Sequence, residues 1–200
     1  MGDLLIATNN RGKLAEFRQL LGSLPLNICG LAEVGIVEEV EEIGSTFLEN
    51  ANLKASTYAR LSGLFTLADD SGLVIDYLNG SPGVRSARYA GESASDDARV
   101  EKVLSEMQDA KADERSARFV CVVTLSDASG KTIHSTEGIC EGAIAFVPRG
   151  DNGFGYDPIF VPAGYDLTFG ELPSAVKDQI SHRAIAVAKI IPFLQGFFKI

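Results

Sequence analysis

The chain has 200 residues, 46% of them hydrophobic and 22% charged, in the range of an ordinary globular protein and enough to bury a core without disulfides. Its net charge of −9 excludes the broad basic footprint that a nucleic-acid polymer needs. Any anionic ligand must then be a small one, met by a local cluster of lysine, arginine and metal. Cys29, Cys121 and Cys140 are odd in number and match no metal or disulfide spacing, so they read as idle thiols of a reducing cytoplasm. Asp3 precedes the first apolar run, which excludes a signal peptide there, and the apolar tail Ala184–Ile200 is too short and too interrupted by Lys189, Pro192 and Lys199 to span a bilayer.

In chain order, Leu4-Leu5-Ile6-Ala7 reads as a buried strand and Thr8–Gly12 as turn chemistry. A helix opens at Lys13, with Leu14, Phe17, Leu20 and Leu21 at helical spacing and Gly22 as its stop. A loop between strand and helix lies at the strand's carboxyl end, where α/β sheets bind ligands. Strands are predicted at 26–28 and 36–40, followed by the acidic run Glu38-Glu39 and Glu41-Glu42. Thr46-x-x-Glu49 fits a capping box for a helix to about Arg60. Strands at 65–68 and 73–75 flank a predicted turn, Asp69-Asp70-Ser71-Gly72. Ser95-Asp96-Asp97 caps a helix to about Met107. A hairpin follows (119–125 and 132–141), then strands at 143–147 and 159–161 around a glycine-rich loop, and a last helix from near Ser181, broken at Pro192. Hairpins mixed with strand–helix units predict an α/β fold with a mixed sheet, as a single domain over 1–200.

Six segments carry polar chemistry. In Thr8-Asn9-Asn10-Arg11-Gly12-Lys13, a helix N-terminus, hydroxyl and amide side chains and a lysine suit phosphate, although a capped helix start explains the same residues and P-loop spacing is absent. Two adjacent acids after an apolar strand, Asp69 and Asp70, are costly unless solvated, paired or metal-bound. Strand alternation sends them to opposite sides, leaving one for metal and one for a structural role. The run 38–42 can complete a magnesium site only if the fold brings a member to Asp70. Asn50 and Lys54 share a helix face, from which Lys54 can reach a phosphate. Gly153-Phe154-Gly155-Tyr156-Asp157-Pro158 can present Phe154 as a stacking surface for a base. Lys177 and Ser181-His182-Arg183 offer donors to a keto or phosphate oxygen. Each segment alone also reads as a turn, a cap or a solvated face, and together they are the parts a nucleoside triphosphate needs. On the residues alone, a nucleotide sensor and a hydrolase both remain open.

In order, Thr8-x-Asn10-x-x-Lys13, Thr46-Phe47-x-Glu49-Asn50-Ala51-x-x-Lys54-Ala55, Ala68–Leu73, Pro82-Gly83-Val84-x-Ser86-Ala87-Arg88-Tyr89, Gly153–Pro158 with Phe160, and Ser181-His182-Arg183 resemble the Ham1-like inosine triphosphate pyrophosphatase family over nearly the whole chain. The motifs differ from those of the Maf-like pyrophosphatases. The resemblance implies an elongated two-lobed α/β fold with a long mixed sheet and a central cleft, a cytoplasmic homodimer, a Mg²⁺ cofactor, and cleavage of ITP, dITP and XTP to the monophosphate and pyrophosphate. It further implies that Thr8, Asn9, Asn10, Arg11, Gly12, Lys13 and Lys54 bind the triphosphate and that Ser71 touches substrate. Phe154, Gly155, Tyr156, Asp157, Lys177, His182 and Arg183 would surround the base. Asp70 would be catalytic base and metal ligand, and Glu41 the second metal carboxylate.

Overall fold

The computed structural model describes residues 2–200. Its strands are β1 (Asp3–Ile6), β2 (Asn27–Gly30), β3 (Phe65–Ile75), β4 (Ser116–Ser126), β5 (Thr132–Ile144) and β6 (Phe160–Pro162). Its α-helices are α1 (Arg11–Leu20), α2 (Phe47–Ser62), α3 (Asp96–Glu106), α4 (Ser174–Ile180) and α5 (His182–Phe198). The six strands form one sheet in the order β2-β1-β3-β4-β5-β6. β1 runs parallel to β2 and to β3, and β5 antiparallel to β6, so the sheet is mixed, as the alternation of motifs predicts.

The chain divides into two compact units. The first holds the residues up to Asp70 together with Cys121–Gly138 and Arg183–Ile200; the second holds Ser71–Val120 and Ile139–His182. β3, β4 and β5 each contribute residues to both.

In the first unit the period of two along the strands builds two cores. Leu4 and Ile6 of β1 and Leu67 of β3 pack with Phe17 of α1 and with Ala186, Val187, Ile190 and Leu194 of α5. Leu5, Ala7 and Ala68, one register step away, pack instead with Ala55 and Tyr58 of α2. Each alternate residue therefore has its own layer of helix. In the second unit Leu73 and Ile75 of β3 join Val100 and Val103 of α3 and the aromatic cluster Phe119, Tyr156, Phe160 and Phe169. Burying side chains of this size contributes about 1.5–3 kcal/mol each.

Several predicted elements change. The segments 65–68 and 73–75 are one strand, because Asp69 and Asp70 are paired with cations and can lie inside it. Residues 36–40 form no strand. Tyr58 satisfies their backbone instead, its hydroxyl accepting from Val40 N–H at 3.2 Å and donating to the Glu38 carbonyl at 3.0 Å. Residues 143–144 finish β5 rather than starting a strand of their own, and α4, which carries Lys177, is an unpredicted helix. α5 continues through Pro192, the missing N–H affecting one turn only. The Thr46–Glu49 capping box and the Ser95 cap form as predicted.

Candidate active site

In the first unit, the loop after β1 closes onto the first turn of α1. Asn10 is the N-cap, its Oδ1 accepting from Lys13 N–H at 3.0 Å, and Thr8 Oγ1 accepts from Asn10 N–H at 3.2 Å. Asn9, Asn10 and Arg11 are exposed while Thr8, Gly12 and Lys13 are half-buried, so this turn presents amide and hydroxyl groups at a helix N-terminus.

Lys13 reaches down to β3, its Nζ lying 3.0 Å from Asp69 Oδ2. The same oxygen accepts from Arg183 Nη2 at 2.9 Å, and Arg183 also pairs with Glu16 of α1. The Cys121 thiol lies 3.8 Å from it. Asp69 shares its face with Leu67, toward α1 and α5, and both cations arrive from those helices. Burial acts to raise its carboxyl pKa, but Lys13, Arg183 and Lys54 outweigh burial and hold it well below the usual carboxylate range.

Asp70 takes the opposite face, with Ala68, toward α2. Asn50 Nδ2 donates to its Oδ2 at 3.1 Å, and Lys54 Nζ stands 3.4 Å from its Oδ1. The spacing of four that puts Asn50 and Lys54 on one helical face thus places both on one carboxylate. Lys54 also pairs with Glu42. Burial and the Glu42 charge raise the pKa of Asp70 against the pull of Lys54, Lys13 and Asn50. Lys54 stays an ammonium, because Asp70, Asp69 and Glu42 outweigh its burial. The adjacent acids therefore differ in kind: Asp69 is a pinned anion, and Asp70 a carboxylate with raised proton affinity.

The acidic run delivers Glu42 here, paired with Lys54, while Glu41 is exposed. Gly44 sets that register. Its N–H donates to Asn50 Oδ1 at 2.7 Å, and a Cβ on Gly44 would lie 2.6 Å from the same oxygen. Only glycine lets the segment pass this close over the start of α2. Among the described residues no three metal-ligating side chains converge.

The second unit holds the glycine–aromatic loop. Asp157 Oδ2 accepts from Phe154 N–H at 2.9 Å and from Lys177 Nζ at 2.6 Å. Lys177 Nζ lies 4.6 Å from the centroid of the Phe154 ring, a cation–π contact. Gly153 has φ +77°, and a Cβ there would lie 2.0 Å from Asp157 Oδ2, so the loop closes on that carboxylate only without a side chain. Phe154 is half-exposed and Gly155 beside it has φ +64°. Tyr156 is buried in the core, and its hydroxyl donates to the Ser86 carbonyl at 2.9 Å. His182 is buried and stacks on Phe119, with centroids 4.6 Å apart and planes at 13°. Ser71 is half-buried in β3, immediately after Asp70.

Sequence reasoning missed Glu16, Glu42 as the acid that reaches Lys54, and the use of Arg183 by Asp69. Glu16 had a signal, since it stands one helical turn from Lys13.

The profile of the Ham1 family matches residues 4–193. This chain belongs to the Ham1 family. Among its relatives, the dITP/XTP pyrophosphatase of Bacillus subtilis is 48% identical over 98% of both chains. The Geobacter sulfurreducens protein of the same name is 47% identical over 94% of both. The solved structure of a HAM1 protein from Coxiella burnetii superposes with a TM-score of 0.88 at 43% identity, covering 98% of this chain and 100% of that one. A Ham1 fold is thus present over the whole length, including both the lysine–carboxylate cluster and the glycine–aromatic loop.

Proposed function

We propose that this Ham1-family chain is a nucleoside triphosphate pyrophosphohydrolase, converting ITP, dITP and XTP to the monophosphate and pyrophosphate. The observation that carries the proposal is the pairing of Lys54 with both Asp70 and Glu42, which gathers a buried cation and two carboxylates between α2 and the middle of β3. Relatives named dITP/XTP pyrophosphatase at 45–48% identity over nearly the full chain support it.

The donor set is hard oxygen, two carboxylates that already converge on one positive charge. That suits Mg²⁺, which takes one or two protein carboxylates and completes its shell from phosphate and water. Glu42 and Asp70 are the residues that would hold it. When bound, it supplies charge neutralisation on the phosphate oxygens.

The chain's own groups do the rest. A water attacks the α-phosphorus, the bond to the bridging oxygen of pyrophosphate breaks, and the water's proton goes to a carboxylate. Asp70 is the candidate acceptor, because both cations on Asp69 oppose its protonation. Lys13 and Lys54 stabilise the charge that grows on the leaving pyrophosphate, and the Thr8–Lys13 turn binds phosphate through side-chain donors and the N–H groups not used in its own caps. For the base, Phe154 supplies the stacking face, while Lys177 and His182 supply donors to the purine 6-keto oxygen. ATP carries an amino group there and leaves such donors unpaired, which discriminates strongly. Arg183, held by Asp69 and Glu16, acts in this scheme by fixing Asp69.

A Mg²⁺ cofactor, a homodimer and a cytoplasmic setting in the nucleotide pool belong to the same proposal. Among the described residues no helix is long and apolar enough to cross a membrane. The test is pyrophosphate release from ITP, dITP, XTP, ATP, GTP and modified pyrimidine triphosphates, with and without Mg²⁺, with light scattering for the dimer. Release from ITP, dITP and XTP alone, and only with metal, is expected. Equal release from ATP would overturn the selectivity, and tight binding without product would make the chain a sensor.

A further inference from the structure

Asp96 opens α3, where sequence alone makes it one of two acids in the first turn of a capped helix, the other being Asp97. The structure gives the two acids different tasks. Asp97 is exposed. Asp96 Oδ2 accepts from Gly155 N–H at 2.6 Å, across 59 residues of chain, and its carboxylate is paired with Arg99, whose guanidinium also donates to the Ala87 carbonyl. The next amide back, Phe154 N–H, points to Asp157. Consecutive amides of the aromatic loop are therefore held by two separate carboxylates, one on each side of the Phe154 peptide unit.

Two fixed amides on either side of a Cα leave that residue little backbone rotation, so the direction in which Phe154 projects its ring is set before anything stacks on it. Gly155, with its positive φ and no side chain, would otherwise give the loop backbone freedom next to Phe154. We infer that Asp96 is a positioning residue for base recognition, holding the Phe154–Gly155 backbone so that the ring is preorganised for a purine. The inference rests on the base-stacking role assigned to Phe154 above. It predicts an effect on affinity rather than on the chemical step, because the residues around Asp70 are untouched.

The test compares Asp96→Ala, Asp96→Asn and Asp97→Ala with the parent enzyme in ITP hydrolysis with Mg²⁺ and in hydrogen exchange of the peptide covering residues 152–158. Losing a hydrogen bond to a charged acceptor should raise KM about tenfold in Asp96→Ala, with kcat nearly unchanged, and should quicken exchange in that peptide. Asp96→Asn, whose amide oxygen still accepts from Gly155, should recover most of both effects. Asp97→Ala removes an equal charge from the same helix end and should match the parent. Unchanged KM and exchange in Asp96→Ala would overturn the inference, as would equal shifts in Asp96→Ala and Asp97→Ala. A parent enzyme that leaves ITP intact would sink the functional reading, while the exchange data would still decide whether Asp96 holds the loop.

Discussion

Asp69 and Asp70 are covalent neighbours with opposite surroundings, and the difference predicts opposite phenotypes. Asp70→Asn keeps size but only one of the two acceptor oxygens that Asn50 and Lys54 use, and it cannot take a proton. Turnover should fall by about 10²–10⁴-fold with the circular dichroism spectrum unchanged; near-normal turnover would remove Asp70 from the chemistry. Asp69→Asn removes the carboxylate charge that Lys13 and Arg183 share in a dry setting, leaving Arg183 its pairing with Glu16. Removing one side of such a buried pair costs about 3–5 kcal/mol, so urea unfolding should shift strongly. The linkage has a definite sign. The folded Asp69 carboxyl is held below its ordinary value, so its stabilisation is complete above the ordinary carboxylate range and is lost as pH falls toward the lower folded value. An acid-unfolding curve should therefore flatten in Asp69→Asn relative to the parent.

At the scale of elements, the site depends on backbone that only small residues permit. α2 is started by Thr46, whose hydroxyl accepts from Glu49 N–H at 3.1 Å, and Gly44 just before it packs against Asn50, with Glu42 of the acidic run reaching Lys54. The glycine–aromatic loop is the more exacting case. Gly153→Ala places a Cβ in the left-handed region and against Asp157 at once. Strain of this kind costs about 1–3 kcal/mol. The loop should move off Asp157, seen as a raised KM for ITP with only a modest loss in melting temperature. A KM equal to the parent's would show that the loop geometry does not matter to binding.

For the molecule as a whole, the buried thiols report on the two units separately. Cys121 is fully buried in the first, and Cys140 in the second has its pKa pushed up to about 11 by burial and the neighbouring Glu141. Cys29 is only partly covered. Iodoacetamide at pH 8 should label Cys29 faster than the other two, with Cys121 and Cys140 reacting only as their units open in urea, each read by mass spectrometry. Labelling of Cys140 in the native protein at the rate of Cys29 would contradict its burial. Because Cys140 titrates higher in the folded state than unfolded, its contribution to stability is present below the ordinary thiol value and declines as pH rises toward about 11.

Local chemistry was legible wherever one short stretch contained both partners of an interaction. The capping box at Thr46, the N-cap at Ser95, the shared face of Asn50 and Lys54, and the run Leu4–Ala7 are all written within a few residues, and all form. The mixed α/β character followed from the order of such pieces. Interactions between residues distant in the chain were not legible. That Asp69 and Asp70 sit inside a strand rather than in a turn required cations from Lys13, Lys54 and Arg183, which arrive on three different helices. That Glu42 rather than Glu41 reaches Lys54 depends on how closely Gly44 packs over α2. The bond from Asp96 to Gly155 left no trace in either local sequence. Periodicity and caps act over one or two helical turns, whereas the desolvated pairing of charges is settled only when the packed elements exclude water around them.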